Sequence, residues 1–254
     1  MTVKQSTDVE LLTADNHKLS CNHLRTGHNE VVILAHGFYN NKDAYLFQKM
    51  AEELSRNFDV ISFDFRGHGK SSGLFSFTSL ESEDLRAVVA YAKERSYRSI
   101  GVIGFSLGAA VAIIEGSRNP DIHSFISVSS AYDFWKIDYR FWKKEMLEDL
   151  KLNLGAKGKG KGLRPGNPFL PKVRPLDAVA KIAPRPILFI HGRQDWLIHP
   201  MHSAKLYRKA KQPKKLVLVD HGGHAEKIYD SNPDEFIKMC SDWFAQTLIN
   251  EVKV

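Results

Sequence analysis

Five residues, Gly104-Phe105-Ser106-Leu107-Gly108, place a serine between two glycines near the middle of a 254-residue chain. That string alone is weak evidence, because glycine and serine are common enough for chance to supply it. Its setting is more informative. An apolar run, Ile100 to Ile103, directly precedes it, and small residues, Ala109-Ala110-Val111-Ala112, directly follow. A strand that turns sharply into a helix at this point thrusts the Ser106 hydroxyl out at the edge of a sheet. The helix N-terminus then aims backbone amides at the same spot. Side chains at the glycine positions would collide with the neighbouring strand and helix. The chemistry predicted is nucleophilic attack on an acyl carbon, for which a serine hydroxyl needs a base to take its proton. Eleven histidines compete for that task. The competing reading of Ser106 is an ordinary turn with a capping serine.

The elements that must position these groups can be read from the apolar pattern. Near-continuous runs at 31–35, 60–63, 100–103, 125–128, 187–190 and 216–219 suit strands buried on both faces of a parallel sheet. Between them lie helical patterns at 44–56, 80–94, 107–117, 201–210 and 234–249. Strands alternating with helices predict βαβ units in an α/β sandwich. The first 25 residues predict a polar hairpin turning at Asp15-Asn16, an antiparallel edge on the sheet. One segment, 131–175, breaks the rhythm. It has no strand pattern, only an aromatic-rich amphipathic stretch, a Gly/Lys run at 155–162 and a proline-rich return. We read it as an insertion over the end of the sheet, within a single domain spanning 1–254. The Gly/Lys run predicts a mobile loop. No Gly-Lys-Ser/Thr follows it, so it is not a phosphate-binding loop.

Composition excludes several classes. The hydrophobic fraction is 43% and the charged fraction 26%, as in a globular protein rather than a disordered chain. No apolar stretch approaches the roughly 20 residues of a membrane-spanning helix. The first ten residues carry no basic-then-apolar leader, so cytoplasmic residence is expected. Cys21 and Cys240 sit in no metal-ligand or redox spacing and are expected to be reduced and structural. Neither a metal nor a cofactor is expected. The net charge of +7 lies entirely between Lys136 and Arg174, where 11 basic residues face 4 acidic ones. No zinc-finger, helix-turn-helix or RNA-recognition pattern accompanies it, so nucleic acid is not an expected partner. Solubility explains the charge as well as steering of anionic substrates, or loose contact with an anionic lipid surface, does.

The chain resembles the α/β-hydrolases from about Glu30 to Phe244. Beside Gly104 to Gly108, His36-Gly37-Phe38-Tyr39 matches the family's His-Gly loop after the first parallel strand. Asp64-Phe65-Arg66-Gly67-His68-Gly69-Lys70-Ser71 matches an Asp-x-Arg-Gly-x-Gly-x-Ser turn. His191-Gly192-Arg193-Gln194-Asp195 and His221-Gly222-Gly223-His224 match the stretches that hold the acid and the base. The order Ser, Asp, His is also the family's. The resemblance implies a mostly parallel central sheet flanked by helices, with the 131–175 insertion as a small cap.

It also implies roles. Ser106 is the expected nucleophile. His224, in a glycine-rich loop just beyond the last core strand, is the expected base, with His221 the nearest rival. Asp195 is the expected acid that orients the imidazole, with Asp133 as the alternative. His191 reads as a satisfied core histidine, and His36 and His68 as structural members of their loops. Asp220 reads as a loop-forming acceptor. The resemblance assigns the oxyanion donors to the backbone N–H groups of Phe38 and Leu107. The cap aromatics Trp135, Phe141 and Trp142 either line the substrate pocket or form the cap's own core. The activity implied is that of a serine esterase resembling cinnamoyl-ester and monoglyceride-lipase-like hydrolases. It would act on small-molecule carboxylic esters with short to medium acyl chains or aromatic acids. Amidase, thioesterase or C–C hydrolase chemistry on the same triad, and a non-catalytic binding protein on the same fold, remain the alternatives.

Overall fold

The computed structural model describes residues 5–137 and 162–249. The Phe141 and Trp142 expectations, and all but the last residue of the Gly/Lys run, lie outside the described residues. So do seven of that segment's eleven basic residues and all four of its acidic ones.

Among the described residues the strands form one eight-stranded sheet in the order β1-β2-β4-β3-β5-β6-β7-β8. These are Gln5–Leu12, Lys18–Arg25, Glu30–Ala35, Asp59–Phe63, Ser99–Phe105, Ser124–Val128, Ile187–Gly192 and Lys214–Val219 in chain order. The first two make the expected antiparallel hairpin, and β2 also runs antiparallel to β4. From β4 to β8 every pairing is parallel.

Alternation along the central strands feeds two cores. Val31, Ile33 and Ala35 face one side with Val102, Phe125 and Phe189. Helices α2 (Glu81–Glu94), α3 (Leu107–Gly116) and α5 (Met201–Lys209) cover that side through residues such as Leu85, Val111 and Leu206. A single turn, α4 (Pro175–Ala178), joins them there. Val32 and Leu34 face the other side with Ile103, Ile126 and Leu188. Helix α1 (Tyr45–Leu54) closes this core with α6 (Glu226–Ser231) and α7 (Pro233–Phe244). Helix α7 continues as a π-turn over Ala245–Ile249. Glycine at 101 is required by this packing, since a Cβ there would lie 2.6 Å from the Phe244 ring.

One expectation is corrected. The run 216–219 is a strand, but it sits at the sheet edge and is only half-buried, because among the described residues nothing pairs beyond it. The described part of the 131–175 segment holds no strand, as expected, though Phe75 and Pro165 form an isolated parallel bridge. Phe75 N–H donates to Arg164 O at 2.9 Å, and Gly166 N–H donates to Phe75 O at 2.7 Å. The returning chain is thereby pinned onto the loop that follows the Asp64–Ser71 turn.

That turn is built by its own motif. The Asp64 carboxylate accepts the Lys42 N–H at 2.7 Å and the Lys70 N–H at 2.9 Å. The Ser71 hydroxyl donates to Asp64 O at 2.6 Å. Gly69, at φ +45°, lies where any Cβ would strike the Asp64 carboxylate. Arg66 is fully buried and paired with Asp84 and Asp15.

Candidate active site

Parallel strands deliver their C-terminal ends to one edge of the sheet, and ligand sites in open α/β sheets sit there. Ser106 follows β5, Asp195 follows β7, and His224 follows β8. The loop carrying Phe38 follows β3.

Ser106 occupies φ 49°, ψ −106°, a conformation that costs a non-glycine residue roughly 1–3 kcal/mol and persists only when its surroundings impose it. Here its N–H donates to Val128 O at 2.8 Å, and its carbonyl accepts the Ala110 N–H at 3.2 Å. A Cβ on Gly104 would sit 2.5 Å from the Ala109 backbone, and one on Gly108 would strike the Ala35 carbonyl. The two glycines thus let helix α3 approach the sheet closely enough to expose the serine.

The His224 ring lies between the other two residues. Its Nε2 is 3.0 Å from Ser106 Oγ, and its Nδ1 is 2.8 Å from Asp195 Oδ2. Asp195 is buried, and its Oδ1 accepts N–H groups from Leu197 at 3.0 Å and Ile198 at 2.8 Å. Burial alone would push this carboxyl's pKa up. His224 and His191 beside it, through charge and hydrogen bonding, hold it well below the usual carboxylate range.

His191 is the group the sequence reading under-assigned. It is buried at the end of β7, as expected of a core histidine. Yet its Nε2 lies 3.1 Å from Asp195 Oδ2 and 2.7 Å from Ile198 O. Both are acceptors, so Nε2 carries the proton and donates to them. Its Nδ1 meets the Ser203 hydroxyl at 2.6 Å. The only signal available beforehand was its position four residues before the acid, at a strand end.

The rivals lie elsewhere. His221 Nδ1 accepts from Gln194 Nε2 at 3.2 Å. Asp133 caps a short 3₁₀ turn, Phe134–Lys136, by accepting the Trp135 N–H at 2.9 Å. Asp220 is exposed and ion-paired with Arg193 at 2.6 Å. His36 and His68 are structural. Burial pushes the His36 imidazole down to about 4, so it stays neutral, accepting the Phe65 N–H at Nε2 and donating from Nδ1 to Gly37 O at 2.7 Å. The His68 ring is likewise pushed down to about 3 by burial and packs edge-on against Phe75.

A cavity of about 100 Å³ opens beside Ser106. Its walls are largely aromatic and aliphatic: Phe38, Phe75, Phe77 and Phe134, closed by Leu197 and Ile198. Trp135 does not line it, which corrects that expectation. It is 56% exposed and stacks on Phe169, because the short turn that aims Phe134 inward aims its neighbour out. Phe75 and Phe77 were missed because they lie in an aperiodic loop, 72–80, that no hydrophobic pattern marks. Leu107 lines the cavity as well, at the first position of α3, where a helix leaves its backbone N–H without an intrahelical acceptor. Among the described residues no group of three or more His, Cys, Asp or Glu side chains could hold a metal ion. No helix there is long and apolar enough to cross a membrane.

Known proteins share this arrangement of elements. The chain is 27% identical to the Pyrococcus furiosus esterase Pf2001, whose structure superimposes with a TM-score of 0.78 over 96% of this chain and 94% of that one. A putative aryl esterase from Burkholderia cenocepacia shares the fold, with a TM-score of 0.75 over 94% of this chain and 98% of that one, at 19% identity. Among curated sequences, the uncharacterised protein YfhR of Escherichia coli O157:H7 is 29% identical over 223 residues, 85% of this chain and 70% of YfhR. The profile of the alpha/beta hydrolase family matches residues 32–239. With that match covering most of its length, and an esterase among its structural neighbours, the chain belongs to the alpha/beta hydrolase family.

Proposed function

We infer that the protein is a serine hydrolase of carboxylic esters, with Ser106 as nucleophile, His224 as base and Asp195 as the orienting acid. The single observation carrying this reading is the His224 ring held between Ser106 Oγ and the Asp195 carboxylate by contacts of 3.0 and 2.8 Å. In the first half-reaction Ser106 Oγ attacks the ester carbon as His224 Nε2 takes its proton. The tetrahedral oxyanion is received by the backbone N–H groups of Phe38 and Leu107, each such donor supplying about 3–4 kcal/mol of transition-state stabilisation. Collapse expels the alcohol, which takes the proton back from His224 and leaves an acyl-Ser106. Water, deprotonated by the same ring, then releases the acid and restores the serine. Asp195 holds the tautomer that presents Nε2 to the serine and stabilises the imidazolium that forms.

The cavity supports an uncharged, apolar acyl group of modest size, since its walls offer no cation to meet a second carboxylate. A panel of p-nitrophenyl esters from acetate to laurate tests both reaction and size. Turnover is expected to peak at short chains and fall beyond them. Phe134→Ala, by removing one wall, is expected to move the optimum at least two carbons longer, with kcat on acetate changed little. An unmoved optimum would show that Phe134 does not bound the acyl site. Hydrolysis of anilides or C–C substrates, with none of any ester, would overturn the ester assignment.

The pH profile follows from the same groups. An imidazolium cannot accept the serine proton, so activity falls as acid charges the base. Asp195 is held well below the usual carboxylate range and remains ionised throughout that fall. One proton therefore governs the acid limb: log(kcat/KM) should drop with unit slope as the pH falls. A slope of two, or activity flat to pH 4, would contradict a lone histidine base. Cys21 and Cys240, both buried, take no part; burial pushes the Cys21 thiol up to about 12. Their unpaired state suits a reducing compartment such as the cytoplasm.

A further inference from the structure

We propose that Asn40 and Glu226 form a clasp that locks the loop bearing the Phe38 amide to the loop bearing His224, so that oxyanion donor and base hold one register. The inference rests on the serine-hydrolase reading above. Asn40 is buried, and its Nδ2 donates to Glu226 Oε1 at 2.8 Å, across 186 positions of sequence. The Asn40 amide cannot flip freely, because its Oδ1 accepts the Asn41 N–H at 3.0 Å. The Asn40 N–H in turn donates to Gly37 O at 3.3 Å, closing the turn that contains Phe38, with Tyr39 at φ +62°.

Glu226 stands two residues after His224, at the first position of α6. Its carboxylate lies against the turn itself: a Cβ on Gly37 would be 3.3 Å from Glu226 Oε1 and 3.5 Å from Ser106 Cβ. Carboxylate, turn and nucleophile therefore meet at one point. The opposite flank of the base loop is tied to the sheet. Ala225, at φ +45°, donates its N–H to Ser129 Oγ at 3.1 Å, and Ser129 N–H donates to Ile190 O at 2.9 Å. Ser129 thus anchors His224 to the sheet, while Glu226 anchors it to the oxyanion turn.

The clasp needs an acceptor oxygen from residue 226 and not its charge. A negative charge near a developing oxyanion is unfavourable, so glutamine, which keeps the carbonyl, should serve as well. Misplacing a reacting group by 1 Å can cost about 100-fold in rate. A broken clasp leaves each loop its other anchors and should cost less.

The test compares full-length wild type with Asn40→Ala, Glu226→Ala, the double variant and Glu226→Gln. p-Nitrophenyl butyrate is the substrate, and Tm is recorded for each protein. Each alanine variant is expected to lower kcat about 10-fold with KM within a factor of two and Tm nearly unchanged. The double variant is expected to lose no more than either single one, because both remove the same contact. Glu226→Gln is expected to retain activity within about threefold of wild type. Additive losses, losses confined to KM, kcat losses that track Tm, or a glutamine variant as slow as alanine would each overturn the clasp. Wild-type protein that neither hydrolyses the ester nor reacts at Ser106 with a fluorophosphonate would overturn the underlying serine-hydrolase reading. An active wild type with additive variants would overturn the clasp alone.

Discussion

Ser106→Ala is expected to lower kcat for p-nitrophenyl esters by about 10⁴- to 10⁶-fold, with Tm nearly unchanged. The size of the effect follows from the unit the residue belongs to. In the proposed mechanism, once the hydroxyl is gone His224 and Asp195 have no proton to move, and no acyl-enzyme forms. What would remain is background hydrolysis of a bound ester polarised by the proposed oxyanion donors, the Phe38 and Leu107 amides. For the same reason His224→Ala should cost nearly as much, and the double variant little more, since members of one catalytic unit are strongly non-additive. The fold is unaffected because Oγ makes its contact with His224 at the cavity edge, while the strained turn is held through the backbone of Ser106 and the glycines beside it. Alanine keeps the same Cβ and tolerates the same φ no worse. Two measurements check this: steady-state turnover across the ester panel, and covalent labelling by a fluorophosphonate. Residual turnover within tenfold of wild type would remove Ser106 from the mechanism.

The second large effect is on stability. Arg66→Met is expected to destabilise the protein by about 3–5 kcal/mol, seen as a fall in Tm of about 10 °C. The Arg66 guanidinium has no exposed surface and donates from Nε at 2.8 Å and from Nη2 at 2.7 Å to Asp84 Oδ1. It also donates from Nη1 to Asp15 at 2.7 Å, and the Arg66 N–H meets Asp84 Oδ2 at 2.8 Å. Asp84 is fully buried as well, so removing the cation leaves a carboxylate in the core with only a backbone partner. Burial pushes the Asp84 carboxyl up to about 7 even beside Arg66, so without the cation the group is left desolvated whether it stays charged or takes up a proton, and that penalty, rather than the lost attraction, dominates the cost. The companion variant Arg66→Met with Asp84→Leu should therefore recover most of the loss. A single variant within 1 kcal/mol of wild type would refute this account. Activity should fall with stability, because this turn carries His68, whose ring packs against Phe38 and Phe75 in the cavity wall.

Much of the framework was legible because its signals are local. The strand–serine–helix junction at 100–112 announces itself through a β-branched run, two glycines and a small-residue helix, all within one turn of chain. The Asp64–Ser71 turn is similar: each of its side chains serves the turn that contains it. Helix α7 and the hairpin could be read from period and turn residues in the same way. Helix α6, only six residues long, could not, since so short a segment has too few turns to show a period.

What tertiary structure decided is of another kind. No local pattern says that 216–219 will sit at an edge and so stay half-exposed, or that β4 and β3 exchange places in the strand order. Equally apolar neighbours at 134 and 135 part company because a single 3₁₀ turn points one ring into the cavity and the other outward. His191 reads as core in any sequence, and only the fold of the loop after β7 swings Asp195 back to within 3.1 Å of it. The order of chemistry-bearing residues along the chain belongs to sequence, since residue type and turn propensity act over a few positions. The meeting of Ser106, Asp195 and His224, and of Asn40 with Glu226, belongs to the sheet, because only parallel strands bring loops a hundred residues apart to one edge.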